Sequence, residues 1–261
     1  MKIATIQFNS TDNKVRNIKE AVRLVEKAAK AGAQFILLPE LFVFRGKLTS
    51  KVLNEISENV DGDTVKIFSI LAKKYKVFIL LGSIYEKSKN LKKIYNTSVL
   101  INDKGNTIAQ YRKINLFDAI VDGKKIQESK FFLKGKNLIT AKVGDFKVGL
   151  SICYDVRFSE LYKEYKNKKV DIVCVPAAFT KTTGEAHWEI LIRARAIEGL
   201  CYVLAPNQVG KDNRGRYSYG HSMIVDPWGK ILKEAKSNKA EILFAELDKN
   251  QIKNNRKALM S

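Results

Sequence analysis

The chain has only 3 cysteines and 2 histidines in 261 residues, and its 27 acidic residues are outnumbered by 47 basic ones. Each scarcity excludes something. The cysteines, at positions 153, 174 and 201, are odd in number and none has a C-x-x-C partner, in a chain too large to need covalent staples. Free thiols are expected. His187 and His221 lie too far apart for a helical zinc pair, so no metal site is expected. No apolar run reaches the roughly 18 residues of a membrane span. Met1-Lys2 runs directly into the strand pattern Ile3-Ala4-Thr5-Ile6-Gln7-Phe8 without a signal-peptide core, so a cytoplasmic protein with no membrane partner is expected.

The shortage of acids leaves a formal net charge of +20, which raises nucleic-acid binding as one function class. Lysine is spread over every segment, as at Lys163, Lys166, Lys168 and Lys169, and no stripe alternates arginine with aromatic residues. A solvated surface is therefore expected, with no nucleic-acid partner. Hydrophobic residues make up 45% of the chain and no linker divides it, which points to one domain over residues 1–261.

Val15, Ile18, Ala21, Val22, Val25, Ala28 and Ala29 recur at helical spacing behind the capping candidates Thr11 and Asp12. Continuous apolar runs at 34–38, 77–82, 170–175 and 201–205 have the signature of strands buried on both faces. Helical patterns near 65–75, 159–165 and 185–198 alternate with them, which argues for an α/β sheet protein. Residues 94–101 with 107–111, and 138–143 with 146–152, read as hairpins, and 219–225, 231–232 and 241–247 read as closing antiparallel strands. Mixed sheets follow, and the shared βαβ rhythm of the two halves fits two of them packed face to face. Residues 112–135 show little periodicity, and a loop that long is uncommon unless it is functional.

Glu40, Lys113 and Cys153 each stand just beyond an apolar strand, where α/β sheets bind ligands. All three can converge in one crevice. Cys153, with a helix beginning after it, sits where backbone N–H groups favour a thiolate. Each residue also has a plain reading: a thiol that packs as a small hydrophobe, a loop carboxylate, one lysine among many.

The segments around these residues resemble the three signatures of the nitrilase (carbon–nitrogen hydrolase) superfamily: Leu38-Pro39-Glu40-Leu41-Phe42, Tyr111-Arg112-Lys113-Ile114-Asn115-Leu116-Phe117 and Ile152-Cys153-Tyr154-Asp155-Val156-Arg157-Phe158. Order and spacing match as well. Thr183-Gly184-Glu185-Ala186-His187-Trp188, Arg193-Ala194-Arg195-Ala196-Ile197-Glu198 and the run from Tyr219-Gly220-His221-Ser222 to Asp226-Pro227-Trp228-Gly229 are similar to the amidase branch that holds ω-amidase and deaminated-glutathione amidase. The resemblance implies a four-layer α-β-β-α sandwich of two mixed sheets, a homodimer, and no cofactor.

It also implies roles. Cys153 is the expected nucleophile, Glu40 the general base and acid, and Lys113 the stabiliser of the oxyanion together with the backbone N–H of Tyr154. Glu128 matches a second carboxylate that orients the amide or Lys113, and its plain reading is an exposed acid in a lysine-rich loop. Arg157, set either to pair with an acid or to meet a substrate carboxylate, and Phe179 are further substrate-binding candidates. His187 and His221 are expected to be structural, His187 as a buried and satisfied group, and Cys174 and Cys201 to pack inertly in strands. Arg193, Arg195 and Glu198 are expected to pair on their helix.

The implied reaction is hydrolysis of a small linear carboxylic-acid amide, with release of ammonia through a thioester. An α-keto acid ω-amide ranks first as substrate, then deaminated glutathione, an N-carbamoyl compound and a nitrile. A catalytically silent binding module and a nucleic-acid-binding protein are the alternatives from other classes. Phe42-Val43-Phe44-Arg45-Gly46 departs from the smaller residues often found after the glutamate, and the chain ends at Ser261 where relatives often continue into an arm.

Overall fold

A computed structural model describes residues 1–89, 92–236 and 238–259 of the chain. In the first half, β1 (Lys2–Gln7), α1 (Lys14–Lys30), β2 (Phe35–Leu37), α2 (Ser50–Ile56), α3 (Asp63–Tyr75), β3 (Phe78–Glu86), β4 (Tyr95–Ile101) and β5 (Thr107–Arg112) follow in order. A small hairpin, β6 (Asp118–Val121) and β7 (Lys124–Gln127), leads into β8 (Thr140–Val143) and β9 (Phe146–Leu150). The second half runs α4 (Ser159–Asn167), β10 (Ile172–Cys174), α5 (Lys181–Gly199), β11 (Tyr202–Ala205), β12 (Val209–Lys211), β13 (Tyr217–Tyr219), β14 (Met223–Val225), β15 (Ile231–Glu234), β16 (Glu241–Glu246) and α6 (Lys249–Leu259).

Two six-stranded sheets result, ordered β16-β1-β2-β3-β4-β5 and β15-β14-β11-β10-β9-β8. In each, three central strands are parallel and the flanking ones antiparallel, so both are mixed. Side chains alternate across a strand. Ile3, Phe35, Leu37, Leu80 and Leu100 therefore face the second sheet, while Ala4, Ile6, Ile36, Leu38 and Ile79 face α1 and α3. The second sheet packs its other face on α4 and α5 through Leu161, Tyr165, Trp188 and Ile192, all buried. The architecture is the expected α-β-β-α sandwich. Among the described residues no helix is long and apolar enough to cross a membrane.

The stripe Ala21, Leu24, Val25 and Ala28 buries α1, but its cap is Asn13, whose side chain accepts from the Arg16 N–H, rather than Thr11 or Asp12. Thr11 is instead tied to Asn17. Four further differences have local causes. Residues 112–135 are not featureless: they hold the β6–β7 hairpin, turned by Asp122 and Gly123 at φ 51° and 69°. The strand expected over 219–225 breaks, because Gly220 N–H turns to Gln208 O and Ser222 N–H to Gln7 Oε1. Helix α5 begins at Lys181, four residues before Glu185, on the side-chain cap of Thr180. The short α2 and the lysine-rich α6, whose buried positions are Leu53, Ile56 and Ile252, were not expected at all.

Candidate active site

The parallel strands β2, β9 and β10 end on the same side of the molecule's interior, and the chain beyond each is pinned. After β2, Leu41 takes the left-handed conformation (φ 50°), and its N–H donates to Ser83 Oγ at 2.8 Å. Gly82 lets this turn pass, since a Cβ there would lie 2.0 Å from Leu38 O. Gln208 Nε2 donates to the Glu40 carbonyl at 3.0 Å, and Asn96 Nδ2 to Glu40 Oε1 at 2.9 Å. The Glu40 carboxylate is thus held on both backbone and side chain.

After β9, the Cys153 N–H donates to Pro176 O at 2.9 Å, which ties the turn to the end of β10. Cys153 itself sits at φ 48°, a left-handed conformation uncommon for residues other than glycine, and opens a single 3-10 turn, Cys153–Arg157. Asp155 closes that turn from within. Its Oδ2 accepts from Ile152 N–H (2.9 Å) and from the Tyr111 hydroxyl (2.7 Å), and its Oδ1 from the Asn115 N–H (2.8 Å) and Nδ2 (3.0 Å). This fully buried carboxyl couples the thiol's turn to the segment carrying Lys113.

Lys113 is 0% exposed. Its Nζ donates to Glu40 Oε1 at 2.9 Å and to Glu128 Oε2 and Oε1 at 2.9 and 3.1 Å, which uses all three ammonium protons. Glu128 Oε2 also accepts the Phe117 N–H at 2.8 Å. Glu128 is therefore a partner in the buried network, not an exposed loop acid. Burial works against the Lys113 charge, but Glu128, Glu40 and Cys153 hold its pKa well above the ordinary lysine value. Burial raises the Glu128 carboxyl; Lys113 opposes that shift, and the nearby Glu40 charge adds to it.

Burial, then Glu40, pushes the Cys153 thiol well above its ordinary value, while Lys113 and the Ala178 N–H pull it back. The resting sulfur is a thiol at neutral pH. Burial is the largest cause of the rise, with Glu40 second, and together they outweigh the groups expected to favour a thiolate. Cys174 and Cys201 are buried free thiols, Cys174 pushed well above its ordinary value and Cys201 up to about 12, by burial in both cases.

Glu40, Glu128 and Cys153 line a cleft of about 810 Å³, together with Arg45, Thr180, Arg214 and Arg216. Cys153 also borders a small recess walled by Phe117, Tyr154, Arg157, Phe179 and Thr183. Nothing among the described residues accepts the Tyr154 N–H. Among the described residues Arg157 pairs with no acid. Its Nη2 lies 3.1 Å from His187 Nδ1, and its guanidinium lies over the rings of Phe179 and Tyr154, with centroids at 5.5 and 5.8 Å.

His187 is exposed, which corrects the expectation of a buried group, and His221 lies 2.6 Å from Glu234 Oε1. Arg195 pairs with Glu198 as expected, but Arg193 pairs with Glu189. Asn96, Asp155 and Gln208 escape sequence reasoning as site residues; Asp155 at least lies inside the segment around Cys153, whereas nothing in their flanking residues marks the other two.

A layered sandwich that gathers a thiol, two carboxylates and a buried lysine at its strand ends defines the class of hydrolases that cleave carbon–nitrogen bonds. The chain belongs to the carbon-nitrogen hydrolase family, whose model matches residues 2–257. The deaminated glutathione amidase of Synechocystis sp. is 39% identical over 262 residues, covering 99% of this chain and 95% of that protein. The nitrilase and fragile histidine triad fusion protein NitFhit of Drosophila melanogaster is 40% identical over 94% of this chain, and the match spans 53% of its length, about half. Among solved structures, Saccharomyces cerevisiae Nit3, described as a member of branch 10 of the nitrilase superfamily, superposes with a TM-score of 0.88 at 32% identity. That match covers 99% of this chain and 94% of the yeast one.

Proposed function

We propose that the protein is an amidase of small carboxylic acids that works through a thioester on Cys153. The observation that carries the reading is the Lys113 ammonium, buried behind Glu40 and Glu128, which line the cleft that Cys153 borders. Because the thiol rests protonated, it needs a base at the moment of attack. Glu40 takes the proton as sulfur bonds to the amide carbon, and the oxyanion meets the Tyr154 N–H and the field of Lys113. Collapse breaks the C–N bond, and Glu40 returns its proton to the leaving nitrogen. Water then gives a proton to Glu40 and attacks the thioester; the C–S bond breaks, Glu40 passes that proton to the leaving sulfur to re-form the thiol, and the acid departs. Glu128 fixes Lys113 throughout.

Relatives named for deaminated glutathione move that substrate ahead of an α-keto acid ω-amide. The five-carbon ω-amide and deaminated glutathione differ at the leaving group: the ω-amide releases ammonia, whereas deaminated glutathione releases cysteinylglycine, and both leave 2-oxoglutarate as the acid. Arg157, which lines the recess beside Cys153 and pairs with no acid among the described residues, is the group we assign to the carboxylate of the acyl part, with Phe179 as its wall. Exposed Ile190, Ile197 and Trp228 on and beside α5 favour a homodimer, and three free thiols favour a cytoplasmic site of action.

The test is release of 2-oxoglutarate from deaminated glutathione and from the ω-amide, with an N-carbamoyl amino acid and a nitrile alongside for their own products. Product from deaminated glutathione that disappears in Glu40→Gln supports the reading. Failure to cleave any amide refutes it.

A further inference from the structure

The cleft, apart from the small recess, carries a charge imbalance that the chemistry at Cys153 does not use. Arg45 is 3% exposed, and donates from Nη1 to Ser218 Oγ at 2.7 Å and from Nη2 to Asp212 Oδ2 at 3.2 Å. Its buried Nε has no hydrogen-bond partner among the described residues. Arg214 donates to the same Asp212 Oδ2 from Nε and Nη2, at 2.9 and 2.6 Å. Arg216 lines the cleft half-buried and forms no ion pair among the described residues. Asp212 is therefore shared by the guanidiniums of Arg45 and Arg214, while that of Arg216 stands nearby without an ion-pair partner among the described residues. Lys124 and Lys125 add to the excess at the cleft's edge, and the acids that line it, Glu40 and Glu128, are already committed to Lys113.

Crowding three like charges around one counter-ion in a partly desolvated wall is costly unless an anion completes the set. Burial and the neighbouring Arg214 already draw Arg45 down to about 10, which still leaves it charged at neutral pH. The sides of the nucleophile can be told apart. The leaving nitrogen takes its proton from Glu40, and Glu40 lines the large cleft with Arg45, Arg214 and Arg216, whereas Arg157 lines the recess and not the cleft. Whatever is attached to the leaving nitrogen extends toward the arginine wall.

We infer that Arg45, Arg214 and Arg216 form a second anion site that receives a carboxylate on the leaving-amine side of the substrate. The inference rests on the amidase reading and narrows it to amides charged at both ends. An ω-amide, which releases ammonia, leaves this site unused, whereas the glycine carboxylate of deaminated glutathione fills it. Arg45 belongs to the segment Phe42-Val43-Phe44-Arg45-Gly46, so a residue set apart in the sequence becomes a determinant of specificity.

The experiment compares deaminated glutathione with its analogue in which the glycine carboxylate is a neutral carboxamide. Both keep the scissile amide and the acyl carboxylate. Charge-assisted hydrogen bonds of this type lead us to expect wild-type kcat/KM to favour the free carboxylate by roughly ten- to a hundredfold, mainly through KM. In Arg214→Gln, which alters a partly exposed side chain, and in Arg45→Lys, that ratio collapses toward unity. Equal kcat/KM for the two substrates in the wild type overturns the arginine site while leaving the amidase reading intact. Cleavage of neither overturns the arginine site, and overturns the amidase reading as well only if the ω-amide is also left intact; a ratio that survives in a folded Arg214→Gln protein overturns the assignment to this wall.

Discussion

Asp155→Asn is the substitution for which the structure makes the sharpest demand. The carboxyl accepts four hydrogen bonds, two on each oxygen, from Ile152 N–H, the Tyr111 hydroxyl, and Asn115 N–H and Nδ2. Asparagine offers one acceptor oxygen. If the amide nitrogen faces Ile152, that N–H meets a donor; if it faces Asn115, two N–H donors lose their acceptor. A buried donor left unmatched costs about 1–3 kcal/mol, so the variant should lose roughly 3 kcal/mol of stability. For a chain of this size that corresponds to a fall in Tm of roughly 6–12 °C. Tyr111→Phe removes one donor but leaves the other three matched, and should cost only about 1–2 kcal/mol. Thermal and urea unfolding measure both, and kcat should drop further than KM rises in each, because the turn bearing Cys153 and the segment bearing Lys113 lose their common anchor. An Asp155→Asn protein within about 0.5 kcal/mol of wild type would refute the assignment of Asp155 as the tie between them.

Two further outcomes follow from the buried charges. All three thiols keep their protons in the folded chain at pH values where unfolded thiols, with a pKa near ~8.5, release them. The unfolded state then binds fewer protons, so stability falls as pH rises above that value, by about 1.4 kcal/mol per pH unit for each thiol. Cys174→Ala/Cys201→Ala should therefore show a slope between pH ~9 and ~10 shallower than wild type by about 2.7 kcal/mol per pH unit, and identical slopes would count against the protonated buried thiols. Lys113→Met leaves Glu40 and Glu128 facing each other without their shared cation; one carboxyl should take up a proton near neutral pH, and kcat should fall at least about a hundredfold. A Lys113→Met enzyme with near-normal kcat would show that the ammonium has no part in the chemistry.

The sandwich and the positions of Glu40, Lys113 and Cys153 were legible because the strands before Glu40 and Cys153 are buried on both faces and so written as unbroken apolar runs. The β6–β7 hairpin was not, since its strands are mostly exposed and their residues carry no apolar period; only the Asp122-Gly123 pair marked it. Helix α6 was hidden for the same reason, with Ile252 its one buried residue. Asn96 and Gln208 reach Glu40 across 56 and 168 residues of chain, and local pattern carries no trace of such closures. The thiol's raised pKa was not legible because its largest cause is the burial of the sulfur, followed by the neighbouring Glu40 charge, and spacing reports neither burial nor distance. His187 was misplaced by its neighbour: Trp188 turns into the core while His187, one position along the helix, faces out.

A covalent thioester on Cys153 can be trapped directly. Protein quenched with acid during turnover of deaminated glutathione and digested for mass spectrometry should carry a 2-oxoglutaryl group on the peptide containing Cys153. The adduct and the turnover should both vanish in Cys153→Ala and persist in Cys201→Ser. Turnover that survives in Cys153→Ala, or an acyl group found on Cys174 or Cys201 instead, would contradict the account.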